Sequence, residues 1–339
     1  MQKIKILISC ASIFFLGAAC TTSAIGSRSD GGVWLSSDKG ETWSQRVNIY
    51  SDRTIQKTIS NVDVKKILFS PEDSRKIFAL TEKNGLWISW NSGYNWDLIL
   101  QNISIYDVAI SRENPRKIYA AVGGNIAVSE NEGIKWRSTY ISDSPSAKIT
   151  SITIDNKDPS IIYASTNMGN ILISEDGGIF WRVWVDFDEG FVFQDMKFHP
   201  YEEGVLYAIE QKNGLAKSKD KGRTWEFFKI DGLPRDYNFI PTGILYATSA
   251  GLFRSLNFGA EWTSLPLISG KNESNIYSIA ANPSNPMEIF YGTKNTIYYS
   301  SDGGFNWIPR KLPTTWSAIE IIFNSENPEE IYLGAGRIN

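Results

Sequence analysis

Short apolar stretches separated by Gly, Pro, Asn and Asp recur along this chain of 339 residues. In one period, residues 62–69 predict a first strand, 77–80 a second and 86–89 a third, and a fourth begins at Trp96. A turn-forming segment at 70–73 separates the first strand from the second. Strands of this length, bounded by turn residues, are typical of antiparallel sheets. The pattern therefore predicts a repeated four-stranded unit.

One polar motif, Ser-x-Asp/Asn-x-Gly-x-x-Trp, marks each period. It occurs seven times, and its serines lie 37 to 53 residues apart. A period in that range with four strands per unit predicts a β-propeller of seven blades. The Asp or Asn and the Trp of the copies are Asp38 and Trp43, Asn91 and Trp96, Asn131 and Trp136, Asp176 and Trp181, Asp220 and Trp225, Asn257 and Trp262, and Asp302 and Trp307.

The two ends of the chain supply complementary halves of one blade. Residues 319–324 and 331–334 predict a first and a second strand, whereas 33–36 and 43–45 predict a third and a fourth. Pairing the halves would close the ring and remove its exposed sheet edges. We therefore predict an all-β, seven-bladed ring over residues 32–339 that is closed by its own termini.

The motif residues are predicted to be structural. Asp or Asn accepts hydrogen bonds from nearby backbone N–H groups in a turn, Gly adopts a positive φ, and Trp buries a large apolar surface. The alternative, that the aspartates bind a metal or act as acids, is disfavoured. Asn91, Asn131 and Asn257 lack the charge that a hard cation needs.

The motif resembles the Asp-box (BNR) repeat, which indicates the fold more specifically than the function. Proteins with this repeat include sialidases, xyloglucanases, sortilin-type receptor ectodomains and photosystem II assembly-factor propellers. The single-propeller lipoprotein layout is most similar to the last group, which implies an assembly role. The sialidase Arg-Ile-Pro signature is absent, since the nearest string, 239–241, is Phe-Ile-Pro. Xyloglucanases have two propellers around a cleft. The resemblance thus favours a non-catalytic protein, and a carboxylate pair of a glycoside hydrolase in the loops stays open.

The first twenty residues resemble a bacterial lipoprotein signal. Lys3 and Lys5 precede an apolar run, 6–19, which is too short to span a bilayer comfortably and ends at Cys20. The resemblance implies a signal peptide at 1–19, lipidation of Cys20, and a tether over 20–31. Cleavage with secretion is the alternative. The protein is then expected in the bacterial cell envelope. Thr21, rather than Asp, follows Cys20, which resembles the pattern that sends such proteins outward in bacteria with two membranes.

Composition narrows the classes of ligand. Removal of the signal with Lys3 and Lys5 leaves 32 basic against 37 acidic side chains, a net charge of −5, which does not favour nucleic acid. The cysteines are Cys10 and Cys20, and the single histidine is His199, so neither a disulfide nor a histidine metal cluster is predicted. No cofactor, no metal and no catalytic residue is predicted.

Two sets of side chains are candidates for binding. Polar residues at the starts of the inner strands could converge in the central channel on an ion or small ligand, or could instead bond the backbone of neighbouring blades: Asp63, Asp107, Ser151, Asp195 and Ser278. Loops that lead from one blade to the next form a face with a basic side, Arg46, Arg53, Lys57, Arg310 and Lys311, and an acidic side, Asp186, Asp188 and Glu189. Phe187, Phe191 and Phe193 accompany the acids.

Rigid scaffolds tend to carry function on their loops, and complementary charge orients protein encounters. The sequence therefore predicts a membrane-tethered scaffold that binds another envelope or membrane protein through this face. The alternative for the face is a solvated rim with its aromatic side chains folded inward. A carbohydrate-active enzyme or glycan-binding propeller is the alternative function.

Overall fold

A computed structural model describes residues 29–49, 58–81, 83–101, 104–188, 190–268 and 275–338. Within them, every strand belongs to one of seven four-stranded antiparallel sheets, and none of the described residues is helical. No described segment is therefore a helix that could cross a membrane. The predicted all-β propeller of seven blades is confirmed.

The strands are numbered in chain order, and blade 1 contains both ends of the chain. Blade 1 comprises β27 (Ser317–Phe323), β28 (Ile331–Gly336), β1 (Gly32–Ser36) and β2 (Ser44–Arg46). Blade 2 comprises β3 (Val64–Ser70), β4 (Asp73–Thr81), β5 (Leu86–Ser89) and β6 (Asp97–Leu100). Blade 3 comprises β7 (Ile105–Ile110), β8 (Ile118–Val122), β9 (Asn125–Ser129) and β10 (Arg137–Ile141). Blade 4 comprises β11 (Ile149–Ile154), β12 (Ile162–Thr166), β13 (Asn170–Ser174) and β14 (Arg182–Asp186).

Blade 5 comprises β15 (Phe193–Phe198), β16 (Leu206–Glu210), β17 (Gly214–Ser218) and β18 (Glu226–Phe227). Blade 6 comprises β19 (Pro234–Ile240), β20 (Gly243–Thr248), β21 (Gly251–Ser255) and β22 (Thr263–Leu265). Blade 7 comprises β23 (Ser278–Asn282), β24 (Asn285–Gly292), β25 (Thr296–Ser300) and β26 (Ile308–Lys311). β4 begins earlier than predicted because Ser70 pairs with Asp73 across a two-residue turn.

Blade 1 closes the ring as predicted. β1 pairs antiparallel with β28 from Gly32 opposite Ala335 to Ser36 opposite Ile331. The two halves meet in the middle of the sheet, so each blade edge is formed by a strand that continues into a connection. The C-terminal strand β28 thereby pairs with the N-terminal strand β1, and this sheet has four strands like the other six.

The repeated motif forms the turn between the third and fourth strand of each blade, here called the box turn. In blade 4, Ser174 Oγ donates to Asp176 Oδ1 at 2.8 Å and accepts from the N–H of Gly178 at 2.8 Å. Asp176 Oδ1 accepts the N–H groups of Ile179 and Phe180 at 2.9 and 3.0 Å. Asn91 Oδ1 accepts the N–H of Asn95 at 2.9 Å. An amide oxygen therefore replaces the carboxylate, as expected of an acceptor in a turn.

Each box turn also joins neighbouring blades. Tyr119 in β8 donates its hydroxyl to Gly177 O in the box turn of the next blade at 2.7 Å, and Tyr207 bonds Phe258 O in the same way at 2.8 Å. Four of the seven box tryptophans bond in the opposite direction; Trp96 Nε1, for example, donates to Arg46 O of the preceding blade at 2.9 Å. The motif therefore stabilises the contacts between blades as well as the turn.

The turn between the first and second strand is capped by the residue that follows the inner strand or ends it. Asn282 Oδ1 accepts the N–H groups of Ser284 and Asn285, and Asn324 Oδ1 accepts those of Glu326 and Asn327. His199 occupies this position in blade 5. Its Nδ1 accepts the N–H groups of Tyr201 and Glu202 at 3.1 and 2.8 Å, which requires the neutral ring.

We expect Gly178→Ala to lower the free energy of unfolding by about 2–4 kcal/mol. Gly178 has a φ of +82°, and an added Cβ would lie 2.7 Å from Tyr119 Cε1. Gly177→Ala is the matched control, because φ there is +74° but the new Cβ would meet only the flexible end of Lys117. Chemical denaturation of both variants should give the larger loss for Gly178→Ala, and equal losses would contradict the interlocking of blades at this turn.

We expect His199 to make the fold sensitive to mild acid. Burial lowers the pKa of His199 below its usual 6.5, so the unfolded chain binds the proton more readily than the folded chain. The free energy of unfolding should therefore fall as the pH drops below about 6.5. His199→Asn keeps an acceptor for the two N–H groups and should remove this part of the pH dependence. Identical unfolding profiles for the two proteins between pH 5 and 7.5 would argue against the capping role.

Candidate functional site

The inner strands present polar side chains to the central channel, and in five blades a β-bulge lies near the start of the inner strand. In blades 1, 2, 3, 4 and 6 the residue skipped by the pairing register is Ile319, Lys65, Tyr106, Thr150 or Arg235. The residue after each of these bulges belongs to a polar inner ring, which one residue each from blades 5 and 7 completes: Glu320, Lys66, Asp107, Ser151, Asp195, Asp236 and Ser278. Bulges commonly redirect side chains in this way.

The inner ring is a network of ion pairs and bonds between blades. Lys66 Nζ lies 2.9 Å from Asp107 Oδ1 and 3.5 Å from Asp195 Oδ1, and Lys197 Nζ lies 2.6 Å from Asp195 Oδ2. Asp107 Oδ2 accepts from Ser151 Oγ and from the N–H of Ile152 in the next blade, both at 3.0 Å.

The same pattern continues around the ring. Ser151 Oγ accepts the N–H of Met196 at 2.9 Å, and Asp236 Oδ2 accepts the N–H of Ile279 at 2.9 Å. Ser278 Oγ donates to Ala318 O at 2.9 Å. Each of these bonds joins adjacent blades, so the ring holds the inner strands together.

The charged residues of the ring differ in whether burial or neighbouring charge dominates their pKa. Burial alone would lower the pKa of Lys66, but Asp107 and Asp195 outweigh burial and hold that pKa above its usual value. Burial would raise the pKa of Asp195, but Lys197 and Lys66 hold it below its usual value. At Asp236, burial outweighs the nearby charge of Lys197 and raises the pKa to about 6. Burial and the charge of Asp236 raise the pKa of Glu320 well above its usual value.

The structure corrects the predicted channel ring at one position, adds three residues to it and places Lys197 beside it as an ion-pair partner of Asp195. Asp63 lies three residues before Lys66, and its carboxylate accepts the Nε and Nη2 of Arg337 at 3.0 and 2.6 Å. It is therefore outside the ring that contains Asp107, Ser151 and Asp195. The residues that sequence reasoning missed are Lys66, Lys197, Asp236 and Glu320. Glu320 could have been found, because it precedes the turn-capping Asn324 by four residues, as Ser278 precedes Asn282. No such signal marks Asp236, since the apolar Ile240 stands four residues after it.

A cavity of about 460 Å³ lies at one mouth of the channel. It is lined by residues of blades 1, 2 and 3, including Asp63, Lys65, Lys83, Tyr106, Ile319 and Arg337. These residues lie at the starts of first strands, at the end of β28 and in the turn between β4 and β5. The cavity is thus on the face that also carries the connections between blades, here called the mouth face. The box turns lie on the opposite face, here called the box face.

Cations cover the aromatic rings near this cavity. The guanidinium of Arg337 lies 4.4 Å from the ring centroid of Trp316. The ammonium groups of Lys65 and Lys148 lie 5.8 and 5.7 Å from that of Tyr106. Cation–π contacts of this kind occupy the ring surface that a sugar would stack on. The cavity is therefore suited to negative charge more than to a neutral sugar.

Two of the predicted basic residues do not project from the mouth face. Arg46 lies 3.9 Å from the ring centroid of Tyr94 in the box turn of the next blade. Arg310 pairs with Glu41 of the next box turn at 3.0 Å, and its side chain is 15% exposed. Both arginines stand on the outermost strand of a blade, so their length carries the charge across to the neighbouring blade. Their roles in the structure are contacts between blades.

The remaining candidates of the loop face lie as follows. Lys311, Asp186 and Asp188 are exposed, and Asp186 Oδ1 accepts from Asn170 Nδ2 at 2.5 Å. The aromatic neighbours of these acids fold inward: Phe187 stacks on Phe191 at 4.8 Å, and Phe193 packs on Trp225 at 4.3 Å. The predictions for Cys20, Arg53, Lys57 and Glu189 fall outside the described residues. Within the described residues, no group of three or more His, Asp or Glu side chains is arranged to hold a metal ion.

Comparison of the fold with solved structures gives neighbours of two kinds. A GH74 enzyme from Niastella koreensis superposes with a TM-score of 0.66 at 16% identity, over 81% of this chain and 51% of that one. YCF48 bound to D1 peptide superposes with a TM-score of 0.61 at 16% identity, over 81% of this chain and 93% of that one. YCF48 from Cyanidioschyzon merolae gives 0.63 at 15% identity, over 81% and 95%. At these identities the likeness establishes the propeller fold alone.

Sequence comparison gives local similarity. A vacuolar protein sorting/targeting protein 10 from Aspergillus fumigatus is 31% identical over 96 residues, which is 25% of this chain and 6% of that protein. Its counterpart from Schizosaccharomyces japonicus is 33% identical over 57 residues, 17% of this chain and 4% of that one. The chain thus spans a small part of the curated relatives that it matches. No protein-family model matches the chain.

We expect the free energy of unfolding to fall as the pH rises from about 4 to about 6 through the ionisation of Asp236. The folded pKa of about 6 lies above the usual 3.8, so the protonated form is favoured by folding. This protonation contributes on the order of 3 kcal/mol to the free energy of unfolding at low pH, and the contribution is lost above the folded pKa. Asp236→Asn keeps an acceptor for Ile279 and should lack this component.

The measurement is urea unfolding of wild type and Asp236→Asn across pH 4–7.5. Asp143→Asn, an exposed substitution of equal charge change, is the control. If the difference in free energy of unfolding between wild type and Asp236→Asn stays constant with pH, the raised pKa of Asp236 is contradicted.

Proposed function

We propose that the chain is a non-catalytic, membrane-tethered propeller that binds a segment of another envelope or membrane protein. The main support for the proposal is the share of each structural neighbour that this chain covers. The chain matches nearly the full length of YCF48, a single propeller solved with a bound peptide, but only half of the GH74 chain. A rigid ring with variable loops is suited to presenting such a binding surface.

The charge of the mouth face supports a protein partner. Asp186 and Asp188 are exposed on blade 4, and Lys65, Lys83 and Arg337 surround the cavity near blades 1 to 3. Opposite charges on two sides of one face orient an approaching protein. The covered rings of Trp316 and Tyr106 favour this interpretation over carbohydrate stacking.

The tether is the second part of the proposal. The motif at 1–20 supports lipidation of Cys20, and a multiply acylated residue would hold the protein on a membrane more firmly than a single chain. Cys20→Ser, with residues 1–19 replaced by a cleavable secretion signal, should release the protein from the membrane fraction into the soluble fraction. Unchanged membrane retention of this variant would contradict the lipid anchor.

We expect the acidic side of the mouth face to contribute to partner capture. The experiment is chemical crosslinking in native membranes followed by purification of the protein and mass spectrometry of its adducts. Asp186→Asn with Asp188→Asn should reduce the yield of the specific adduct at least fivefold, since rim charges act mainly on association. Glu113→Gln with Glu203→Gln, exposed acids near turns of the box face, is the matched control. Equal yields from wild type and both variants would contradict a role for the acidic side.

A glycan-active propeller is the second candidate, and two observations favour it. The GH74 enzyme of Niastella koreensis is a structural neighbour, and burial raises the pKa of Asp236 and Glu320, as a general acid requires. Release of reducing ends from plant or bacterial glycans that is abolished by Glu320→Gln would support this candidate. Activity that survives both Glu320→Gln and Asp236→Asn would show that any hydrolysis takes place outside the channel.

A further inference from the structure

The mouth face carries an excess of positive charge in a chain whose net charge is −3. Its exposed acids among the described residues are few: Asp143, Asp186, Asp188 and Asp231. Asp63 is paired with Arg337, and Asp30 accepts from the N–H of Thr315 at 2.6 Å. Its exposed basic residues are Lys65, Lys83, Lys148, Lys212, Lys229, Arg235, Lys294, Lys311 and Arg337. The acids are concentrated near blade 4, so the basic excess is largest around the cavity.

The first described residues of the chain emerge on the same face, beside the cavity. Gly31 packs so closely on the Trp316 ring that a Cβ there would lie 2.3 Å from it, and Arg337, which lines the cavity, covers the same ring. Gln45 Nε2 donates to Gly31 O at 2.9 Å and holds this segment on blade 1. Eight residues lie between Cys20 and Ser29, so the nine steps along the chain reach at most about 30 Å.

We propose that the mouth face rests on the membrane and that its basic side binds the phosphate groups of anionic phospholipids, with one headgroup in the cavity. The proposal rests on the lipid anchor proposed above, because the tether would join the ring at that face and hold it near the bilayer. Basic residues near an anionic surface are attracted within a Debye length. The exposed lysines around the cavity, Lys65 and Lys83, meet this condition together.

The distribution of acidic residues on the mouth face determines how the ring tilts on the bilayer. An anionic surface repels Asp186 and Asp188, which lie three blades from blade 1, while it attracts the side that holds the cavity. The ring therefore leans on blades 1 to 3 and lifts blade 4 from the bilayer. This leaves the acidic side open to a membrane protein alongside. One face then serves both contacts without competition between them.

The test is vesicle binding of the chain without its lipid. All strands of the ring lie between Gly32 and Gly336, so a Cys20→Ser chain released by a cleavable secretion signal retains the whole ring. Cosedimentation is measured with vesicles of phosphatidylcholine alone and with 30% phosphatidylglycerol. We expect binding to the anionic vesicles only, weakened by added salt, because the attraction is electrostatic. Absence of binding to anionic vesicles at low salt would overturn the proposal.

Matched charge reversals locate the contact. Lys65→Glu with Lys83→Glu should weaken partitioning to anionic vesicles by about 25-fold or more, since each basic residue near the surface is worth about fivefold. Lys135→Glu with Lys219→Glu makes the same charge change on exposed residues of the box face and should alter partitioning little. Equal weakening by the two pairs would overturn the assignment of the face. Thermal melts of both variants establish that the ring is intact.

Two further readouts distinguish lipid phosphate from inorganic phosphate, and membrane docking of the ring from the lipid anchor. Inorganic phosphate at matched ionic strength should not displace the protein from vesicles. Full displacement would indicate a small-anion site and overturn membrane docking. The vesicle assay contains no lipid anchor, so loss of membrane retention in cells by Cys20→Ser and failure of vesicle binding are independent results.

Discussion

Pairing of the first strand of the chain with the last is the constraint on which the other features depend. Five residue pairs, from Gly32 opposite Ala335 to Ser36 opposite Ile331, join the termini inside blade 1. The seven inner strands can surround one channel only when this sheet is complete. The same pairing fixes Gly31, Trp316 and Arg337 beside the channel mouth. The closure therefore determines both the mechanical integrity of the ring and the side from which its N-terminal segment leaves.

Contacts between blades use two layers of polar chemistry. At the periphery, the box turn of one blade receives the tyrosine hydroxyl of a neighbour, as Tyr119 shows with Gly177. Around the channel, Asp107 bonds Ile152 of the next blade and pairs with Lys66. Buried charges need partners, and the ring provides them for Asp107 and Asp195, whereas at Asp236 and Glu320 burial outweighs the nearby lysines and raises the pKa. The channel is consequently a structural element whose charge varies with pH.

The sequence was sufficient for the architecture because seven motif copies fix the period and the terminal half-blades complement each other. It was less informative at the site. Asp63 follows an apolar residue and precedes another, so alternation alone placed it in the ring, whereas a β-bulge shifts the true position to Lys66. Arg46 and Arg310 belong to loops or strand ends in the sequence, yet they reach the adjacent blade because outer strands pack on the next box turn. Such contacts depend on which blades are neighbours and on side-chain direction, which a one-dimensional pattern does not contain.

The functional account assigns the two faces of the ring different tasks. The mouth face holds the cavity and the exit of the N-terminal segment, and its exposed charges divide into an acidic and a basic side, whereas the box face is occupied by turns that hold the blades together. Site-specific photocrosslinking in intact cells tests this division most directly, with a photoreactive residue at exposed Gln194 on the mouth face or at exposed Ile134 on the box face. The account predicts adducts with a membrane protein or phospholipid from position 194 and none from position 134. Adducts from position 134 alone would contradict it.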